Sequence, residues 1–273
     1  NNLRINNIIT FHDIIFTFAY LNDEFPTHIR DPNAIIIPEN KTFSKLFAGF
    51  YARISYDRVT LFHHLIKNYK NESLVYFANN FIHDIMERCE PEYNRELHIN
   101  PGMIKVIDTV DPAYQSFVSN DLLEKTKNVF VDIISETIFY EDDNVWFTEK
   151  TIIPMLIGMP FVTSTTANYY KLLHKLGFKT FSDFWDESFD NIIDHEDRMA
   201  KILETVDYIA NTYDTEEKRE AAYKKMMPIL EHNRKLVLYL FDNPRNVLSE
   251  LSLSDCAINE FDQVMRASYP GCF

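Results

Sequence analysis

Two arginines lie where an α/β protein could bind an anion. Arg53 lies between a predicted strand, Phe43–Phe50, and a predicted helix, Asp57–Asn68, and Arg58 lies at the start of that helix. Ligands of parallel sheets bind beyond the carboxyl ends of the strands, where a helix N-terminus adds positive potential. Guanidinium groups also pair bidentately with phosphate. The segment therefore predicts a phosphate site, and a solvated pair of surface arginines is the alternative of equal weight.

A second polar segment follows later in the chain. Ser135-Glu136-Thr137 ends a predicted buried strand, and Thr148-Glu149-Lys150-Thr151 comes after an acidic loop. Thr148 is predicted to cap a helix, which places Glu149 and Lys150 in its first turn. A lysine there opposes the helix dipole, which indicates that it serves a ligand anion. Glu149 beside it could accept hydrogen bonds from a ribose diol. An incidental ion pair at a helix start is the alternative.

A third segment, Leu176–Asp190, is rich in aromatic residues. A stripe of this kind is more often core than binding surface, and we interpret it as core. Gly177 is placed to end a predicted helix over Tyr169–Leu176, as a glycine after a helix often does.

The elements that must position these segments alternate between strands and helices. The run Val129–Ser135 is typical of a parallel strand buried on both faces. The other predicted strands are Ile8–Phe11, Ala34–Ile37, Phe43–Phe50, Leu74–Phe77 and Pro160–Thr163, and the predicted helices are Asp57–Asn68, Asn79–Glu90, Glu149–Gly158, Tyr169–Leu176 and residues 196–241. This alternation predicts an α/β fold, with a parallel sheet covered by helices on both faces.

Composition narrows the class of protein. The chain has 273 residues, of which 46% are hydrophobic and 25% charged, so it is not a disordered chain. Asp and Glu number 41 against 27 Lys and Arg, a net charge of −14 that disfavours nucleic acid as a partner. Three widely spaced cysteines predict reduced thiols and a cytoplasmic protein. Neither a membrane span nor a signal peptide is predicted.

Taken in order, the motifs between Phe43 and Asp207 resemble those of fucosyltransferase-like glycosyltransferases, notably the forms of phages and large viruses. The shared features are an arginine segment ending at Arg58, a strand ending Ser135-Glu136-Thr137, the helix start Thr148-Glu149-Lys150-Thr151, the strand Gly158–Val162, and the run Leu176–Asp190 with Phe189 in place of tyrosine. The sequence departs from the pattern at Ile152-Ile153-Pro154, where related sequences carry Trp-Lys-Pro, and around Arg58, where basic residues are fewer.

The resemblance implies a GT-B architecture, in which two Rossmann-like domains face each other across a cleft. Residues 41–241 would form the Rossmann-type donor domain with its parallel sheet. Residues 1–40 would be a smaller or truncated N-terminal, acceptor-side α/β part. The tail, residues 242–273, would cross back to that part. If the source is a virus, the implied location is the host cytoplasm.

The resemblance also implies a reaction and the residues that serve it. A sugar would pass from a GDP- or UDP-linked donor to an acceptor hydroxyl, with inversion and without a metal or other cofactor. Glu149 would bind the donor ribose and Lys150 its diphosphate. The remaining donor-site residues would neutralise phosphate charge (Arg53, Arg58), shape the base or sugar pocket (Glu136) and contact phosphate (Thr148, Thr151).

The catalytic base is not identified by any motif. An inverting transfer needs a carboxylate or histidine to deprotonate the acceptor. In a GT-B enzyme this group should come from the N-terminal part, where Asp13 and Glu24 are weak candidates beside His12 and Asp23.

Other readings of the sequence lead to different functions. The reduced number of cations favours a catalytically degenerate, glycosyltransferase-like binding module. A viral DNA-base glycosyltransferase is a further alternative, but the acidic charge makes a glycan, a lipid-linked sugar or a protein the better acceptor. Scattered histidines and the absence of an H-E-x-x-H motif argue against a metal hydrolase.

Overall fold

The computed structural model describes residue 37 and residues 41–51, 55–77, 126–140 and 147–242. Four parallel strands form one sheet, in the order β2-β1-β3-β4. Their bounds are β1 Lys45–Tyr51, β2 Ser73–Phe77, β3 Val129–Ser135 and β4 Phe161–Ser164. All three pairings are parallel. The predicted α/β class is confirmed, and the sheet is compatible with a Rossmann-like fold.

Helices of the described residues follow the strands. Their bounds are α1 Tyr56–Tyr69, α2 Glu149–Ile157, α3 Tyr169–Lys175, α4 His195–Thr212 and α5 Glu216–Asp242, with 3₁₀ turns at Lys70–Glu72 and Ser188–Asn191. The predicted elements in these ranges are confirmed, with small shifts at their ends. The predictions for residues 1–36, for Asn79–Glu90 and for the tail after Asp242 lie outside the described residues, as do the candidates Asp13, Glu24 and Arg53.

The order of the strands creates a topological switch point. From β1 the chain passes through α1 to β2 at one side, while β3 lies on the other side of β1 and continues through α2 to β4. Right-handed crossovers in opposite directions place α1 and α2 on opposite faces of the sheet. Helix α4 packs with α1, and α5 packs with α2. The carboxyl ends of β1 and β3 therefore meet at the place where such sheets bind ligands.

The aromatic segment lies in the core, as predicted. Phe181, Trp185 and Phe189 are each at most 3% exposed. The ring of Phe181 lies 5.3 Å from that of Phe161 in β4 and 5.2 Å from that of Trp185, measured between centroids. These contacts fasten the segment to the sheet.

Two glycines in the left-handed region end helices. Gly177, with φ of +87°, follows α3 as predicted, and Gly158, with φ of +68°, ends α2. A Cβ atom on Gly158 would lie 2.6 Å from a side-chain carbon of Ile37, so space and conformation both favour glycine.

The stretch predicted as one helical region, 196–241, is two helices. Tyr213 leaves the helical conformation with φ of −110° and ψ of 45°. The guanidinium of Arg219 donates to the carbonyl oxygens of Tyr213 and Asp214, at 2.8 and 3.3 Å. These carbonyls have no partner within a helix that ends there, and Arg219 supplies one.

Candidate functional site

Arg58 joins the two strand ends at the switch point. It lies in the first turn of α1 and is 6% exposed. Its Nε donates to Ser135 Oγ and its Nη2 donates to the carbonyl oxygen of Glu136, both at 3.0 Å. The structure thus brings the first two predicted segments together. For Arg58 the alternative of a solvated surface arginine is wrong.

Asp57 completes this contact, although sequence reasoning assigned it no role beyond a departure from the family pattern. Its carboxylate is 1% exposed and accepts hydrogen bonds from the hydroxyls of Ser55, at 2.5 Å, and of Ser135. An acidic residue in the first turn of α1 also suits the helix dipole. Asp57 and Arg58 therefore hold Ser135 from two sides. The signal in the sequence was a Ser-x-Asp pattern at a helix start.

Glu136 is a buried carboxylate, 1% exposed, and lies under the start of α2. It accepts hydrogen bonds from the Thr148 hydroxyl at 2.5 Å, the Thr151 hydroxyl at 2.6 Å and the Thr148 N–H at 3.3 Å. The hydroxyl oxygen of Tyr169 lies 3.2 Å from the same carboxylate, and the pKa of Tyr169 is raised by burial and then by the nearby Glu136 charge. Glu136 thus fixes the loop ends from which α2 begins.

The hydroxyls of Thr148 and Thr151 are engaged within the protein, and phosphate contacts by these residues, through backbone or hydroxyl, stay a prediction. Thr151 is fully buried, and its hydroxyl donates to Glu136 and accepts from Tyr169 at 2.6 Å. Thr148 is 7% exposed, and its hydroxyl donates to Glu136. Both hydroxyls hold the buried carboxylate, because α2 begins directly above it. Tyr169, which sequence reasoning treated only as a helix start, belongs to the same cluster.

The first turn of α2 presents a cation and a carboxylate together. Thr148 caps the helix, as predicted, and accepts a hydrogen bond from the Lys150 N–H at 3.3 Å. Lys150 Nζ lies 2.8 Å from Glu149 Oε1, and it also donates to the hydroxyls of Thr148 and Thr137, at 3.3 and 3.4 Å. The side chains of Lys150 and Glu149 remain 29% and 21% exposed. This pair can meet a ligand with an anionic group and a diol.

Asp132 is an acidic residue that sequence reasoning missed in the centre of β3. It pairs with Ala48 of β1 and Phe161 of β4, and burial raises its pKa to about 7. The pKa of Tyr51 is raised by its own burial and then by the charges of Asp132 and Asp57. The signal was a single carboxylate inside an otherwise apolar strand.

Aromatic rings form one wall beside the switch point. Tyr56, at the start of α1, lies 6.2 Å from Phe139 and 6.1 Å from Tyr140, between ring centroids. The ring of His195 lies 4.9 Å from that of Tyr140, which is 46% exposed. The wall places α4 next to the ends of β1 and β3.

Comparison of the chain with protein-family models, with curated proteins and with solved structures finds no match. Among the residues that the structure describes, no three His, Cys, Asp or Glu side chains are grouped to hold a metal ion. No helix in those same ranges is long and apolar enough to cross a membrane.

Proposed function

We propose that the protein is a glycosyltransferase of the fucosyltransferase-like, GT-B type, which transfers a sugar from a nucleotide-diphosphate donor to an acceptor hydroxyl. The observation that carries the proposal is the meeting of two predicted polar segments at the switch point, where Arg58 bonds to Ser135 and Glu136. Nucleotides bind α/β sheets at such a place. The resemblance of the motifs supplies the reaction.

In the proposed reaction, the acceptor oxygen forms a bond to the anomeric carbon while the bond from that carbon to the diphosphate oxygen breaks. The nucleoside diphosphate leaves with the electron pair, and a base takes the acceptor proton. Lys150 stabilises the charge on the leaving diphosphate, so that no metal is required for this step. Glu149 binds the ribose diol. Buried Arg58 and Glu136 position the two loops, and Arg58 supplies the positive charge from below, while Arg53 remains a predicted phosphate ligand.

One observation favours the second candidate, a binding module without turnover. Two donor groups of Arg58, Nε and Nη2, are used within the protein, which leaves fewer contacts for a departing phosphate. Such a module would bind the nucleotide without catalysing hydrolysis or transfer. Release of nucleoside diphosphate from GDP- and UDP-sugars separates the two candidates.

The site is tested by titrating GDP and UDP into the chain by calorimetry. Lys150→Ala should weaken binding by about tenfold to a hundredfold, because a hydrogen bond to a charged group contributes about 1.5–3 kcal/mol. It should leave the melting temperature nearly unchanged, since Lys150 is partly exposed. Lys225→Ala removes an exposed lysine of α5 and serves as the control. Equal affinities for all three proteins would place the nucleotide elsewhere.

Glu149→Gln tests the proposed division of roles. Inorganic pyrophosphate has no ribose, so it should bind more tightly to Glu149→Gln, because Lys150 is freed from its carboxylate partner at 2.8 Å. The nucleoside diphosphate should bind more weakly, because the contact to the diol is weakened. Changes in the same direction for both ligands would contradict the assignment of Glu149 to the ribose.

A further inference from the structure

A cavity lies between α4 and the turn at Ser182–Asp186, and its lining includes none of the switch-point residues. Its volume is about 560 Å³, within the ordinary range for small-ligand sites. Phe184 and Trp185 of the turn and Tyr208 of α4 contribute aromatic rings to it. Tyr208 is 51% exposed, whereas Trp185 is 3% exposed. The aromatic segment therefore packs in the core with part of its residues and lines an open cavity with others.

The polar side chains of the cavity are held in place by one another. Lys201 Nζ lies 3.1 Å from Asp186 Oδ2 and 3.0 Å from Glu204 Oε2. Asp186 also accepts hydrogen bonds from the N–H and the hydroxyl of Ser188, both at 2.9 Å. These acceptors and the Lys201 donors are therefore oriented before any ligand binds, which reduces the entropy cost of binding.

Charge and chemistry restrict the ligand. Asp183, Asp186 and Glu204 face one cation, Lys201, so an anionic ligand is disfavoured. Trp185 lines the wall with only 3% of its surface exposed, and its indole N–H is fully buried, so the ring and not the N–H is what a ligand can meet. Aromatic faces beside carboxylates suit a ligand that is apolar on one face and rich in hydroxyl groups at its rim.

We propose that this cavity binds a sugar ring of a neutral glycan. A pyranose presents C–H groups on its face to an aromatic ring and hydroxyls at its edge to carboxylates. This sugar site goes beyond the proposed function and is separate from the proposed donor site.

The cavity lies along α4, away from the N-terminal end of that helix. His195 begins α4 beside Tyr140 at the ends of the strands. Lys201 and Tyr208 follow His195 along the same helix, at about 9 and 20 Å for a rise of 1.5 Å per residue. Neither Lys150 nor Glu149 lines the cavity, so it is separate from the proposed donor site.

The chain offers a direct optical test, because its two tryptophans are Trp146 and Trp185. In a Trp146→Phe background, Trp185 is the sole tryptophan and reports on the cavity. Cellobiose, lactose and N,N′-diacetylchitobiose are the neutral probes, digalacturonic acid is the anionic probe and spermidine the cationic one. We expect a saturable change in fluorescence with at least one neutral disaccharide, and weaker binding of the anion.

Tyr208→Ala should weaken disaccharide binding about tenfold or more, because it removes an aromatic wall. Tyr239→Ala, a half-exposed tyrosine of α5, is the matched control. If Tyr208→Ala lowers the melting temperature, Glu204→Ala replaces it. The Glu204 side chain is 67% exposed, and its loss should weaken binding about threefold or more.

The proposal is overturned if no neutral disaccharide gives saturation at tens of millimolar, if spermidine alone does, or if the cavity variants bind like the control. Titration of GDP and UDP into the same proteins separates the two proposals. Nucleotide binding without saccharide binding refutes the cavity alone. Saccharide binding without nucleotide binding refutes the donor site and leaves the cavity as a sugar site.

Discussion

Replacing Glu136 by alanine should destabilise the protein by about 3 kcal/mol or more. The carboxylate is buried and accepts three hydrogen bonds, two from Thr148 and one from Thr151, and it lies 3.2 Å from the Tyr169 hydroxyl oxygen. Tyr169 keeps a partner in the mutant, because its hydroxyl already donates to Thr151 Oγ1 at 2.6 Å. The hydroxyls of Thr148 and Thr151 lose their acceptor, and each buried unsatisfied group costs about 1–3 kcal/mol.

The assay for Glu136→Ala is thermal unfolding of the full chain, followed by far-ultraviolet circular dichroism. A loss of about 3 kcal/mol should lower the melting temperature by roughly 6–12 °C for a domain of this size. Glu136→Gln should fall between wild type and alanine, because its amide oxygen still accepts. Glu231→Ala on the surface of α5 is the control and should change stability by about 0.5 kcal/mol at most. A loss below about 1 kcal/mol for Glu136→Ala would refute the role of this carboxylate in holding the start of α2.

Two further outcomes concern stability. Burial raises the pKa of Glu187 to about 7 from its ordinary 4.5, so the folded protein holds a proton that the unfolded chain releases between these values. Stability should fall as the pH rises through this window, and Glu187→Gln should reduce the decline in urea midpoints, leaving the part that comes from Asp132, whose pKa is also raised to about 7. Gly158→Ala should lower the melting temperature more than Gly177→Ala, because both glycines have positive φ but a Cβ at Gly158 also meets Ile37 at 2.6 Å, against 3.4 Å for the nearest atom at Gly177.

The sheet could be predicted because its buried strands are short runs of mostly apolar residues. Val129–Ser135 is nearly all apolar, since both of its faces are covered, and its predicted bounds agree with those of β3. The start and end of α2 could also be predicted from the sequence, because Thr148 and Gly158 are residue types that favour the two ends of a helix. The break between α4 and α5 was missed because Tyr213 carries no such preference. It depends on Arg219, which the sequence does not mark as a partner.

The partners in the candidate site could not be predicted, because they come from distant parts of the chain. Arg58 and Ser135 are 77 positions apart, and Tyr169 and Glu136 are 33 apart. Residue type and local position indicated that Arg58 and Glu136 lie at strand ends. Whether a side chain faces a ligand or another loop depends on the strand order. That order brings the ends of β1 and β3 together and buries both residues.

The arginines and Lys150 have different surroundings in the described residues, because the two side chains differ in shape and flexibility. Every arginine in the described ranges is at most 6% exposed, and each donates to backbone carbonyl oxygens (Arg58, Arg198, Arg219 and Arg234). Arg198 alone contacts the carbonyls of Phe139, Thr165, Ile192 and Ile193, which joins the loops after β3 and β4 to α4. A guanidinium has five donors in a fixed plane, which suits carbonyls at loop ends.

A lysine is a compact charge on a flexible stem, and Lys150 keeps part of its surface in solvent at the edge of the sheet. The arginines of the described ranges thus shape the loops, and the partly exposed Lys150 is the residue that we propose for the diphosphate.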